Sequence, residues 1–133
     1  MNPSIRDVVL ECTRASDEER VTFPEVVKKL MDAGVERYHA DLLRSEKTYY
    51  LPSGESEVVP NHAVSCVPSQ EFSAQGVDAA VRAIQAGKIR YKTFCERVAA
   101  AGCVGYFVSI AGKRAVYYGR SGDSHVEWFP GAK

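Results

Sequence analysis

Shifted by 68 positions, the sequence falls on itself. Ala33-Gly34, Tyr38, Tyr49-Tyr50, Ser53-Gly54, Ser56 and Val58 meet Ala101-Gly102, Tyr106, Tyr117-Tyr118, Ser121-Gly122, Ser124 and Val126, nine identities without a gap. Unrelated segments of that length and ordinary composition share roughly one or two. Glycine and tyrosine spacings are kept, so both stretches are expected to trace the same backbone path.

Local patterns say what that path is. Ile5, Val8, Val9 and Cys12 form one stripe of a helix expected from about Ser4 to Arg14. Thr22 with Glu25 three residues on is a capping box, and Phe23, Val26, Val27 and Leu30 continue at helical spacing to Gly34. The period then drops to two. Strands are expected from Val35 to Leu43, Thr48 to Leu51 and Ser56 to Val59, with turn chemistry at Pro52-Ser53-Gly54. The second half repeats this order. Val77 to Ile84 and Tyr91 to Val98 read as helices ended by Gly87 and Gly102, and strands follow at 103–110, 114–119 and 124–129.

The expected fold is therefore α+β: an internal duplication of a helix-helix-three-strand unit, with antiparallel meanders sharing one core about a pseudo-two-fold. The chain reads as a single domain, 1–133, with repeats at about 4–60 and 74–130 and a linker at about 61–73. A further short strand is expected in that linker, near Ala63 to Val67. One six-stranded sheet and two packed sheets both satisfy the pattern.

Composition excludes some functions. Lys+Arg and Asp+Glu balance at 17 each, so no overall field recruits nucleic acid or an anionic membrane. No apolar run approaches the roughly 18 to 20 residues of a membrane span, and the first residues show no secretion signal. Cys12, Cys66, Cys95 and Cys103 lack CxxC spacing and zinc-ligand spacing. Reduced thiols and a cytoplasmic location are expected, with no cofactor and no metal. Cys66 with His62 is the one cysteine pairing that could make a nucleophile. Gly119 to Gly122 leads from strand to strand and reads as a hairpin turn rather than an anion-binding loop.

Gly102-Cys103-Val104-Gly105-Tyr106, Tyr117 to Gly122, His125-Val126-Glu127 and Phe129-Pro130 resemble the YbcV/YdfO-like family, as do Tyr38 to Asp41 and Lys47 to Tyr50. The resemblance covers nearly the whole chain. It implies a bacterial or prophage-borne protein with a domain of unassigned function, and it brings no catalytic residues.

Comparing the copies isolates candidate chemistry. On the first strand, Tyr38, Ala40 and Leu42 match Tyr106, Val108 and Ile110, a parity apolar in both and expected to face the core. The other parity is Arg37, His39 and Asp41 against Gly105, Phe107 and Ser109. Side chains two apart share a face, so a guanidinium and a carboxylate can flank one imidazole. In the functional reading His39 is acid or base, Asp41 its orienter and Arg37 an anion clamp. In the plainer reading the row is the solvated face of a half-exposed strand. His125 and Glu127 form a second polar row that could join the first across the pseudo-two-fold. Within each tyrosine pair one ring points inward and one outward. Tyr49, Tyr117, His125 and Glu127 are the candidate ligand-binding residues. The preferred function is a module that binds a small ligand or a protein through a polar and aromatic sheet face, with a homodimer among the candidate assemblies. A small acid/base enzyme at His39, Asp41 and Arg37 is the alternative. A phage-related structural or accessory role rests on the resemblance.

Overall fold

The computed structural model describes residues 1–131. Its elements run α1 (Pro3–Asp17), α2 (Phe23–Asp32), β1 (Arg37–Asp41), β2 (Glu46–Tyr50), β3 (Ser56–Pro60), α3 (Ala74–Gln85), α4 (Tyr91–Ala100), β4 (Cys103–Ser109), β5 (Arg114–Gly119) and β6 (Ser124–Trp128). The order helix, helix, strand, strand, strand thus occurs twice. The fold class is α+β.

All six strands form one antiparallel sheet in the order β3-β2-β1-β4-β5-β6. The two meanders join through their first strands, with His39 opposite Phe107 at the centre of the β1–β4 ladder. That pairing decides between one sheet and two. It also leaves only β3 and β6 as edges, and both are short strands of five residues.

The helix boundaries follow from local chemistry. At the start of α2 the Thr22 N–H donates to Glu25 Oε1 at 2.8 Å, the return half of the capping box. The same bond holds the Glu25 carboxyl below its usual range. Ser73 caps α3 by accepting the Gly76 N–H at 3.0 Å. α1 runs one turn further than its apolar stripe indicates, to Asp17, and the chain escapes through Glu19 at φ 59°.

The strand expected near Ala63 to Val67 does not form. The linker is tied to α4 instead: the Ser65 N–H and hydroxyl donate to the two Glu96 carboxylate oxygens at 2.8 Å each. Side-chain bonds of this kind offer the backbone an alternative to a ladder.

One core lies between the helical layer and one face of the sheet. It unites Val9, Cys12 and Leu30 of the first half with Val77, Val98 and Phe94 of the second, over the inward rings of Tyr38, Tyr49, Tyr106 and Tyr117. The other face of the sheet carries no helix. Its residues, from Val58 through Phe107 to Val126, take no part in that cluster.

Candidate functional site

The helical layer does not close over the sheet completely. Each second helix packs mainly on the first helix of its half, α2 on α1 and α4 on α3, but α4 also packs on β4. Between α2, the α3–α4 turn and the sheet lies a cavity of about 660 Å³. That is within the range of small-molecule pockets, roughly 300 to 1,000 Å³. Its walls are aromatic and aliphatic: Tyr38, Tyr91, Tyr106 and Tyr117 inside, and Phe23 and Phe129 toward the rim. Phe23 and Phe129 meet edge to face, with ring centroids 5.4 Å apart and planes at 77°. Arg90 and Glu19 also border the space, joined by a bond from Arg90 Nη2 to the Glu19 carbonyl at 2.9 Å.

Lys47 stands in this wall. It lies on β2 with the parity of Tyr49, so its side chain points inward, and it is 3% exposed. A lysine is almost never so buried unless it is paired. Among the described residues, no hydrogen bond or ion pair to its ammonium forms. Nζ sits 4.9 Å from the centroid of Tyr91 and 5.7 Å from that of Tyr38, two cation–π contacts that soften the burial. Burial pushes the ammonium pKa down, opposed by Cys95, Asp17 and Cys12. The Tyr91 hydroxyl beside it is also buried, with the Tyr106 hydroxyl and the Cys95 thiol as its polar neighbours. The Lys47 ammonium thus stands in the cavity wall without a hydrogen-bond partner among the described residues.

Sequence reasoning missed Lys47, although two signals pointed to it. It shares strand parity with Tyr49. Its counterpart at the repeat offset is Ala115, a core residue that lines the same cavity.

The expected site residues are distributed differently. Arg37, His39 and Asp41 do share the open face, but Asp41 does not orient the imidazole. Its Oδ1 accepts the backbone N–H groups of Leu43 and Arg44, both at 3.0 Å, and so shapes the β1–β2 turn. Arg37 bonds Glu36 at 3.1 Å and lies 3.9 Å over the Tyr50 ring. The partner of His39 is Tyr118, with Nε2 and the hydroxyl 2.6 Å apart. In the ring protonated at Nδ1, Nε2 accepts the phenol proton. Burial lowers the His39 pKa, and the Asp41 charge only partly offsets this. The Tyr118 phenol is pushed up, first by burial and then by Asp41.

Gly105 makes the pair possible. A Cβ there would lie 2.6 Å from the Tyr118 hydroxyl and 2.9 Å from the Ala40 carbonyl. The glycine opposite Asp41 is therefore the notch across which Tyr118 reaches His39.

His125 and Glu127 do not join this row. They lie on the helix-side face, with His125 opposite Tyr117 and Glu127 opposite Ala115, while His39 is on the other face of the sheet. The joint site is overturned by strand parity alone. Glu127 instead pairs with Arg82 of α3, and Arg82 also reaches Asp78 at 3.5 Å. His125 Nε2 lies 3.4 Å from Glu127 and 3.7 Å from Asp78. Donor atoms of Asp78, His125 and Glu127 fall within 4.8 Å of one another. Arg82 already serves both carboxylates, so the cluster acts as a clasp between α3 and β6.

Tyr49 and Tyr117 are the inward rings, 1% and 7% exposed; Tyr50 and Tyr118 are the outward ones. Tyr49 is held at 2.8 Å by Thr13 of α1 and does not line the cavity, whereas Tyr117 does. The cysteines are free thiols, and Cys12, Cys95 and Cys103 are buried. Burial and Glu96 push the Cys66 thiol up, the wrong direction for a nucleophile.

The family model for DUF1398, described as a protein of unknown function, matches residues 15–126, a span that includes Lys47, the cavity's tyrosines and the His39–Tyr118 pair. The chain belongs to this family. Membership agrees with the expectation of a domain without an assigned function. No curated protein matches the chain. No helix among the described residues is long and apolar enough to cross a membrane.

Proposed function

We propose that this DUF1398 member binds a small molecule in the cavity above the sheet, one with an aromatic or aliphatic body and a carboxylate that pairs with Lys47. The observation that carries the reading is a buried, unpartnered lysine facing about 660 Å³ of mostly apolar space. An isolated buried charge is costly, and an anionic head group supplies the missing partner. The Tyr91 hydroxyl can donate to the same head group. The apolar walls take the rest of the ligand, and Phe23 and Phe129 stand at the way in. The ligand therefore goes to the inner face of the sheet, not to the outer face where Arg37, His39 and Asp41 lie.

Titration with 2-naphthoate is expected to release heat in calorimetry and to raise the melting temperature. The neutral 2-methylnaphthalene is expected to bind more weakly. Lys47→Met should weaken 2-naphthoate at least ~10-fold and leave the neutral probe unchanged, because a charge-assisted bond contributes about 1.5–3 kcal/mol. Equal binding of both probes, or of the carboxylate by both proteins, would remove Lys47 as the anion's partner.

A further inference from the structure

We propose that the open face of the sheet is the contact surface of a symmetric homodimer, two copies packing sheet on sheet with Asp41 of each against Arg37 of the other. The proposal stands apart from the cavity, which is on the opposite side of the sheet.

Its basis is a pattern that appears only when the strand registers are combined. Val58, Thr48, His39, Phe107, Val116 and Val126 are successive partners across the sheet, one from each strand. This row is mostly apolar and open to water, with Val58 50%, Phe107 45% and Val126 42% exposed. An uncovered apolar row spanning a whole sheet marks a contact surface.

The flanks of the row identify the partner. On one side lie Glu46 and Asp41, directly paired in register; on the other lie Arg37 and Arg114, both paired with Ser109. One flank presents the carboxylates of Glu46 and Asp41, with Arg44 bonded to Glu46 at its edge. The other presents the guanidiniums of Arg37 and Arg114, with Glu36 bonded to Arg37. A two-fold axis along the apolar row turns the second copy over and brings its carboxylate flank onto the first copy's guanidinium flank. Arg37 and Asp41 stand on one strand, two residues either side of His39, so each lands opposite the other's counterpart. An axis parallel to the strands would instead set acid on acid and base on base. Electrostatics therefore select the first arrangement. It keeps the strands of both sheets aligned, one of the two stable ways for sheets to pack.

The size fits. Six strands at about 4.8 Å and five residues at about 3.3 Å give a face of roughly 500 Å² in projection. The rings of Phe107, Tyr118, Tyr50 and Trp128 on this face add contact area toward the ~800 Å² per partner of a stable pair. The interface is isologous, as closed dimers require.

Sedimentation of the full chain over a wide concentration range tests this. A dimer of twice 14.6 kDa is expected. Phe107→Glu should give a folded monomer, and Val126→Lys should weaken association in the same direction. Arg37→Asp and Asp41→Arg should each raise the dissociation constant at least ~10-fold, because each sets like charges together. Mixed in equal amounts, those two variants should recover a heterodimer, since every contact across the axis is again between opposite charges. Asp41→Asn keeps the oxygen that holds the turn and removes the charge, so it must weaken the dimer even if Asp41→Arg misfolds. A chain that is monomeric at every concentration overturns the proposal, whatever other protein its face then captures. So does a dimer insensitive to Phe107→Glu, or a mixture no tighter than either variant alone.

Discussion

The two halves share an element order and a spacing, yet they treat the interior differently. In the second half α4 lies on its own strand β4, and the inward position on β5 is Ala115. In the first half α2 leans on α1, and the inward position on β2 is Lys47. The hollow lies between the halves and is lined by both, and the buried amine beside it comes from the first half alone. The same backbone position thus carries a small packing side chain in one copy and a buried ammonium in the other. The outer face shows the converse. There the first half holds the charged row Arg37, His39 and Asp41, and the second supplies the notch at Gly105 and the phenol of Tyr118 that engages the row's histidine.

Equivalent positions should therefore respond unequally, and the glycines that end the second helix of each half give the largest contrast. Gly34 and Gly102 share left-handed backbone, φ 89° and 93°. A Cβ at Gly34 meets nothing within 4 Å, but at Gly102 it would lie 2.2 Å from the Glu71 carbonyl of the linker. Gly34→Ala is expected to cost about 1–2 kcal/mol, the left-handed penalty alone. Gly102→Ala adds a backbone clash of about 1–3 kcal/mol and displaces the linker. Denaturant midpoints of the two variants measure the gap. Equal losses would mean that the linker yields freely.

Next in size is Lys47. Lys47→Met fills the same volume without a charge and is expected to stabilise the empty protein by about 1–3 kcal/mol. The effect depends on pH. The folded ammonium pKa is lowered from 10.5, so between that lower value and 10.5 the unfolded chain binds more protons. Stability of the wild type therefore rises with pH through that window and is flat below it. In Lys47→Met this rise should vanish, which urea titrations across the window would detect. A variant less stable than wild type would mean that the cation–π contacts outweigh burial.

Much of this molecule was legible as pattern. The capping box at Thr22 and Glu25, the left-handed stops at Gly34 and Gly102, and the strand Arg114–Gly119 are each dictated within a few residues of chain. The pairing of β1 with β4 was not, because ladder partners far apart in sequence leave no local trace; only the structure chose one sheet. The linker strand failed for a related reason, since its apolar spacing could not reveal that Glu96 would claim its backbone donors. The site was half visible. Comparison of the copies found the row at His39 but took Asp41 for its orienter, because proximity along a strand says nothing of a turn that needs a capping oxygen. The same comparison, applied to the inward parity, isolates Lys47 against Ala115.

The smallest expected effect concerns the histidine itself. Burial lowers the folded His39 pKa below the ordinary 6.5, more than the Asp41 charge raises it. Between those two values the unfolded chain takes up a proton that the folded chain refuses. Stability is complete above 6.5 and declines as pH falls toward the folded value, where the loss levels off. The ring is only half-buried, so solvent screening keeps this below about 1 kcal/mol. His39→Phe reproduces the second copy's residue and removes the titrating group together with its bond to Tyr118. Its unfolding free energy should lack the decline that wild type shows just below pH 6.5, while His125→Gln should keep it. A decline that survives His39→Phe would place the proton elsewhere and detach the His39–Tyr118 pair from the acid response of the fold.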